Sequence, residues 1–231
     1  DAAENQQAVG TYTATDAESD TITYAKSGTD SDLFSIGSSD GVLTFSSAPN
    51  YEAPGCGAND DSNTCTVIIT ATANSQSDTN TITVTVTDVN DNAPTDMALT
   101  AATAAENAAA GTAIGTLSTT DADTSGANSF TYSLVTNSGG ATAYSGTDFQ
   151  IDGTGLEVGT DPGYDYDGGT TSYTVYVKVD DGDNTAYVEA FTISITDVND
   201  QAPTFTGVDA TPSSAEGASG AFETYTIVDT D

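Results

Sequence analysis

Several stretches of the chain alternate polar and apolar residues one for one. The clearest is Thr81-Ile82-Thr83-Val84-Thr85-Val86-Thr87, and another is Phe191-Thr192-Ile193-Ser194-Ile195-Thr196. Successive side chains of a β-strand point to opposite faces, so Ile82, Val84 and Val86 share one face and the threonines the other. The pattern predicts strands with one face on a core and one in water, a setting that suits β-branched threonine. About seven such short patterns, broken by Gly, Asp, Asn and Ser, fall within each stretch of roughly 105–110 residues, the density of a β-sandwich. Helical periodicity is scarce. The run Ala101 to Ala110 is rich in alanine. Because it lies between a proline-marked linker and Gly111, it is read as the start of a strand, with a short helical turn as the alternative.

The strands belong to a repeat. Asp88-Val89-Asn90-Asp91-Asn92-Ala93-Pro94 returns 109 residues later as Asp197-Val198-Asn199-Asp200-Gln201-Ala202-Pro203. Glu4-Asn5 returns as Glu106-Asn107, with Glu216 at a similar place in a third copy. Asp16-Ala17-Glu18 returns as Asp121-Ala122-Asp123 and then as Asp229-Thr230-Asp231, and Asn50-Tyr51-Glu52 returns as Asp165-Tyr166-Asp167. These landmarks divide the chain into a first repeat at 1–92 with its first strand truncated, a second at 93–201, and the start of a third at 202–231. The third piece is too short to bury a core alone. The expectation is a segment of a longer array; the alternative is that the piece completes a unit of a neighbouring chain by adding a strand.

Composition narrows the chemistry. The 231 residues carry 35 Asp and Glu against two lysines, Lys26 and Lys178, for a formal charge of -33. There is no Arg, His or Trp. Lack of His excludes Ser-His or Cys-His catalysis and His-ligated metals. Lack of cationic side chains makes nucleic acid and anionic membranes poor partners. No stretch approaches the ~18 apolar residues of a membrane span. High charge with modest hydrophobicity can mean disorder, but the period-two apolar pattern points instead to folded β domains that need cations. Cys56 and Cys65 lack the spacing and companions of a zinc site. They are read as a local disulfide closing one surface loop, which places the protein outside a reducing cytosol; two free thiols are the alternative.

The DxNDxAP linker motif, the DxD and DxE motifs and the Glu-Asn pair, recurring in one order at this unit length, resemble the cadherin repeat over nearly all of residues 4–231. The resemblance implies an all-β chain of tandem Greek-key, seven-stranded, immunoglobulin-like sandwiches with calcium-binding linkers, usually three Ca²⁺ at each junction. Carried over residue by residue, it gives one ligand set of Glu4, Glu52, Asp88, Asn90, Asp91, Asn92, Asp121, Asp123 and Asp181. A second set is Glu106, Asp165, Asp167, Asp197, Asn199, Asp200, Asp229 and Asp231. Each set gathers seven carboxylates. The donor types agree independently, since Ca²⁺ takes oxygen ligands and alternation in Asp121-Ala122-Asp123 puts two carboxylates on one side of an extended segment. Unit charges about 4 Å apart repel by ~4 kcal/mol at an effective dielectric of 20, so such clusters call for cations. The chain departs from the family pattern at Asn50, Gln201, Asp96 and Met97, and Asp181 has no counterpart in the first repeat.

Other readings are weaker. An EF-hand at Asp121 fails because its twelfth position is Tyr132. A carboxylate-pair glycosidase does not explain carboxylates that recur in every unit. Asp30, Asp32, Asp60, Asp61 and Asp183 are read as solvated surface. The resulting expectation is a non-enzymatic, calcium-dependent adhesion or stalk segment, extracellular or on a cell surface, with a composition resembling secreted microbial proteins. Its partners would be calcium ions and other copies of itself, or cell-surface protein or glycan. A homopolymeric filament or surface layer, assembled through the incomplete terminal units, is the alternative.

Overall fold

The computed structural model describes residues 1–124, 129–206, 213, 216–217 and 225–229. Their regular structure is β throughout, apart from one 3-10 turn at Ser31–Leu33. The chain divides into two compact units. Unit 1 comprises Asp1–Ala93 with two later segments, Asp121–Ser129 and Asp181–Thr185. Unit 2 comprises Pro94–Thr120, Phe130–Asp180 and Ala186–Asp231. Asp231 lies outside the described residues.

Unit 1 contains strands β1 (Ala2–Ala3), β2 (Ala8–Thr11), β3 (Ile22–Ser27), β4 (Phe34–Ile36), β5 (Val42–Phe45), β6 (Thr64–Ala73) and β7 (Gln76–Thr87). They form two sheets, β1-β7-β6-β3 and β2-β5-β4. The connections after β1, β2, β3 and β5 each cross from one sheet to the other. The long β6–β7 hairpin turns at Asn74 and Ser75, both at positive φ, 44° and 74°. A two-residue hairpin turn of type I′ requires that conformation at both positions, and it matches the strand twist. In β6, Cys65, Val67 and Ile69 are buried and alternate with more exposed threonine and isoleucine; in β7, Val84 and Val86 are buried and Ile82 packs beside them. Opposite them lie Phe34, Leu43 and Phe45, with Phe34 stacked on Phe45 at 4.6 Å between centroids.

Cys56 and Cys65 are joined in a disulfide, and both are buried. Asp30, expected on the surface, is instead 5 % exposed. Its carboxylate accepts hydrogen bonds from Gly57 N–H at 2.8 Å and Thr66 N–H at 2.6 Å. The fold thus brings two backbone donors flanking the disulfide onto the two oxygens of one buried carboxylate, so neither oxygen is left unpaired.

Unit 2 repeats the plan with one strand more: β8 (Asp96–Leu99), β9 (Thr103–Ala105), β10 (Ala113–Thr120), β11 (Thr131–Val135), β12 (Phe149–Asp152), β13 (Gly155–Val158), β14 (Ser172–Asp180) and β15 (Tyr187–Thr196). The sheets are β11-β14-β15-β9 and β12-β13-β10-β8. Of the alanine-rich run, Thr103–Ala105 forms strand β9, and Glu106 to Ala110 is turn and irregular backbone. The core joins Val175, Val177, Val179, Ile193 and Ile195 of one sheet to Leu117, Phe149, Leu156 and Val158 of the other. The same register shift recurs in both units, at Ala8/Gly10 and at Ala113/Gly115. β16 (Thr204–Thr206) and β17 (Thr226–Val228) form an antiparallel pair that leaves Phe205 65 % and Ile227 63 % exposed.

Candidate metal centre

β1 runs parallel to the end of β7, pairing Ala2 with Val86 and Ala3 with Thr87. Glu4 therefore emerges beside the start of the Asp88-Val89-Asn90-Asp91-Asn92 segment, with its N–H donating to Thr87 O at 3.0 Å. Glu4 is 1 % exposed. Its carboxylate accepts Tyr51 N–H at 2.7 Å on one oxygen and Val89 N–H at 2.8 Å on the other. One buried side chain thus clamps Asn50-Tyr51-Glu52 to Asp88-Val89-Asn90. Asn5 follows at φ 59°, a left-handed conformation that Asn tolerates better than most residues. Its amide donates to the Asp91 carboxylate.

This scaffold gathers carboxylates. Glu4, Glu52 and Asp88 offer one oxygen each within 4.8 Å of one another, and so do Glu52, Asp91 and Asp123. Glu52 belongs to both trios. Segment 121–124 joins through Thr124 N–H, which donates to Asp88 Oδ2 at 2.6 Å. Asn92 also binds Asp123, its N–H donating to Oδ2 at 3.1 Å and its side-chain amide to Oδ1 at 2.8 Å. Asp121 and Asp123 do not lie along an extended strand, as alternation predicted. Asp123 N–H donates to Asp121 Oδ1 at 3.0 Å, so a side-chain-to-backbone bond bends the chain there. Segment 181–185 joins through Asn90, whose amide donates to Asp181 O at 3.0 Å.

Four side-chain oxygens here are buried with no hydrogen-bond partner: both of Glu52, Asp88 Oδ1 and Asp121 Oδ2. Burying a carboxylate oxygen unpaired is costly. The lysines are engaged elsewhere, Lys26 donating to Ser31 O at 2.6 Å and Lys178 pairing with Asp180 at 3.4 Å. Burial pushes the Glu52 carboxyl above its ordinary value, reinforced by the negative charges of Glu4, Asp91 and Asp123. Asp181 moves the other way. Burial acts to raise it, but backbone and side-chain hydrogen bonds from Asn184 and the N–H of Asp183 outweigh that and hold it below the usual carboxylate range.

The donor set fits a hard divalent cation. Ca²⁺ sits ~2.3–2.6 Å from each oxygen, so two ligands of one ion lie up to about 5 Å apart. Both trios satisfy that spacing, and the unpartnered oxygens supply the unmet demand for positive charge.

No family model and no curated protein matches the chain. Solved structures do. The human protocadherin-24 EC1-2 structure aligns with a TM-score of 0.58 at 22 % identity, covering 85 % of this chain and 92 % of its own. The human desmocollin-1 ectodomain aligns at 0.57 and 23 %, covering 88 % of this chain and 39 % of its own. The protocadherin gammaB4 extracellular domain aligns at 0.54 and 23 %, covering 91 % of this chain. This chain spans 32 % of that protein's length. The fold is that of the cadherin ectodomain repeat.

In the second cadherin-like repeat the clamp is reproduced. Glu106 is 3 % exposed and accepts Tyr166 N–H at 2.7 Å and Val198 N–H at 2.9 Å. Asn107, at φ 57°, donates to Asp200. Asp165 Oδ1 accepts Gly168 N–H at 2.7 Å. Asp165, Asp167, Asp197, Asn199, Asp200 and Asp229 are exposed. Among the described residues, this set forms no carboxylate trio of the kind found in unit 1. Sequence reasoning missed Asn184, which contacts Asn90, Asn92 and Asp181. The only signal for it was its place in the polar turn Asp181-Gly182-Asp183-Asn184.

Proposed function

We propose that this chain is a calcium-dependent segment of an extracellular adhesion or stalk protein, in which Ca²⁺ at the linkers stiffens a tandem array. The observation that carries this reading is the set of unpartnered buried oxygens of Glu52, Asp88 and Asp121, beside carboxylate trios spaced for a hard cation. Glu4, Glu52, Asp88, Asn90, Asp91, Asn92, Asp121, Asp123 and Asp181 would hold the ions, which supply charge neutralisation and cross-linking rather than catalysis. Segment 121–124 follows β10 directly, and segment 181–185 follows β14 directly. Metal that grips them restrains a linker otherwise free to flex, and it stabilises the gripped form by mass action. The solved structures it resembles are extracellular domains, which supports a location where calcium is plentiful. The second set, Glu106 with Asp165, Asp167, Asp197, Asn199, Asp200, Asp229 and Asp231, is proposed to act likewise at the next linker.

Calorimetric titration with Ca²⁺ across a pH series tests the reading. Calcium needs Glu52 ionised, and the Glu52 carboxyl lies above its ordinary value. Affinity is therefore expected to fall on acidification while ordinary glutamates are still ionised. In chelator the sign reverses. A carboxyl whose folded value is raised contributes stability that is present below its unfolded value and lost as pH rises through the folded one. Acidifying through that window should therefore raise the melting temperature of the calcium-free chain. Asp181, held low, contributes stability that is lost only at lower pH, which separates the two groups. Calcium affinity independent of pH down to the ordinary carboxylate range would contradict the site.

A further inference from the structure

Asn184 lies in the turn between β14 and β15, and its side-chain nitrogen occupies an unusual position. It is 2.6 Å from Asn90 Oδ1, 2.9 Å from Asn92 O and 3.1 Å from Asp181 Oδ2. A primary amide has two hydrogens, so three oxygens converge on a group that can satisfy two. The oxygens are themselves fixed. Asn90 is oriented by its own amide donating to Asp181 O at 3.0 Å. The Asp181 carboxylate, in a residue 3 % exposed, is held by the N–H groups of Asp183 at 3.2 Å and Asn184 at 2.9 Å. A carboxylate, a side-chain amide oxygen and a backbone carbonyl aimed at one point form a donor set for a hard cation. With the opposite amide orientation, Asn184 would set a fourth oxygen against these three, so the hydrogen-bond network fixes nitrogen at that point.

We propose that the Asn184 amide is an internal stand-in for a divalent cation. It latches segment 181–185 to Asn90 and Asn92 when metal is absent, and it withdraws when an ion enters this oxygen set. The proposal rests on the calcium reading above and deepens it. A site whose ligands are occupied by a competing group binds with an affinity reduced by the fraction of time the competitor is away. Asn184 therefore sets how weakly this ion binds relative to those held around Glu52, and so the calcium level at which the last ion arrives.

The test is a calcium titration of the intact chain and of Asn184→Ala, read as stepwise affinities. Removing the competitor is expected to tighten the weakest step roughly tenfold, equivalent to ~1.4 kcal/mol, and to leave the tighter steps within about twofold. A weakened step would mean that Asn184 is itself a ligand through its oxygen, and unchanged steps would mean that it does not compete; either overturns the proposal. A second readout needs no variant. In nitrogen-labelled wild-type chain the Asn184 side-chain amide protons should be protected from exchange in chelator and exposed in saturating Ca²⁺. Protection retained in calcium would also overturn it. Wild-type chain that takes up no Ca²⁺ at millimolar concentration sinks the calcium reading and this proposal together. Normal uptake with no change in Asn184→Ala sinks this proposal alone.

Discussion

Glu52→Ala will lose calcium binding by about 100-fold or more, the largest effect expected of any single substitution in the site. Changing a residue that only supports a ligand commonly costs 10–100-fold in metal affinity, and Glu52 stands in both carboxylate trios. Neither of its oxygens has another partner, so the side chain is committed to no competing structural bond. For the same reason the calcium-free protein should not suffer. Burial and the charges of Glu4, Asp91 and Asp123 already disfavour the ionised form, and removing it relieves them. Titration calorimetry together with urea unfolding in chelator measures both halves. Asp32→Ala, an exposed carboxylate outside the site, is the control and should change neither. Calcium affinity within a few-fold of wild type in Glu52→Ala would contradict the assignment of Glu52 as a shared ligand.

Glu4→Ala will behave in the opposite way without calcium. Glu4 is 1 % exposed and accepts the backbone N–H groups of Tyr51 and Val89. Truncation strands two part-buried backbone donors, each at the lower end of roughly 1–3 kcal/mol, so unit 1 should lose about 2 kcal/mol in chelator, a sizeable share of a domain's usual 5–15 kcal/mol. It should lose calcium affinity as well, because Glu4 belongs to one trio. Glu106→Ala should destabilise unit 2 by a similar amount, since Tyr166 and Val198 donate to it in the same way. Urea unfolding of both variants reads this directly, and a midpoint unchanged in either would show that the clamp contributes nothing to the fold.

The contrast between these two glutamates marks where sequence is informative. The strands were legible because period-two alternation has one physical meaning, and Val84, Val86, Ile193 and Ile195 are buried where that pattern put them. The two sandwiches followed from the recurrence of whole motifs. The division of labour among carboxylates was not legible. Glu4 and Glu52 are both acidic residues in repeated motifs, yet one is satisfied by backbone donors and the other by nothing in the chain. That distinction depends on which N–H groups the fold brings near. Asp30 was misread for the same reason, since its partners Gly57 and Thr66 are 27 and 36 residues away. Asn184 reads as an ordinary turn residue until Asn90 and Asn92, over 90 residues earlier, are set against it. Asp121 and Asp123 show the opposite limit. Alternation put them along an extended segment, but a local hydrogen bond bends the backbone there.

Small-angle X-ray scattering of the intact chain, first in millimolar Ca²⁺ and then in excess chelator, tests the central claim most directly. If calcium stiffens the linkers, the maximum dimension is single and well defined with the ion, and the distance distribution broadens when it is removed. Identical scattering in the two conditions would mean that these carboxylates do not govern the linkers, and calcium stiffening would be wrong even with both sandwiches folded as described.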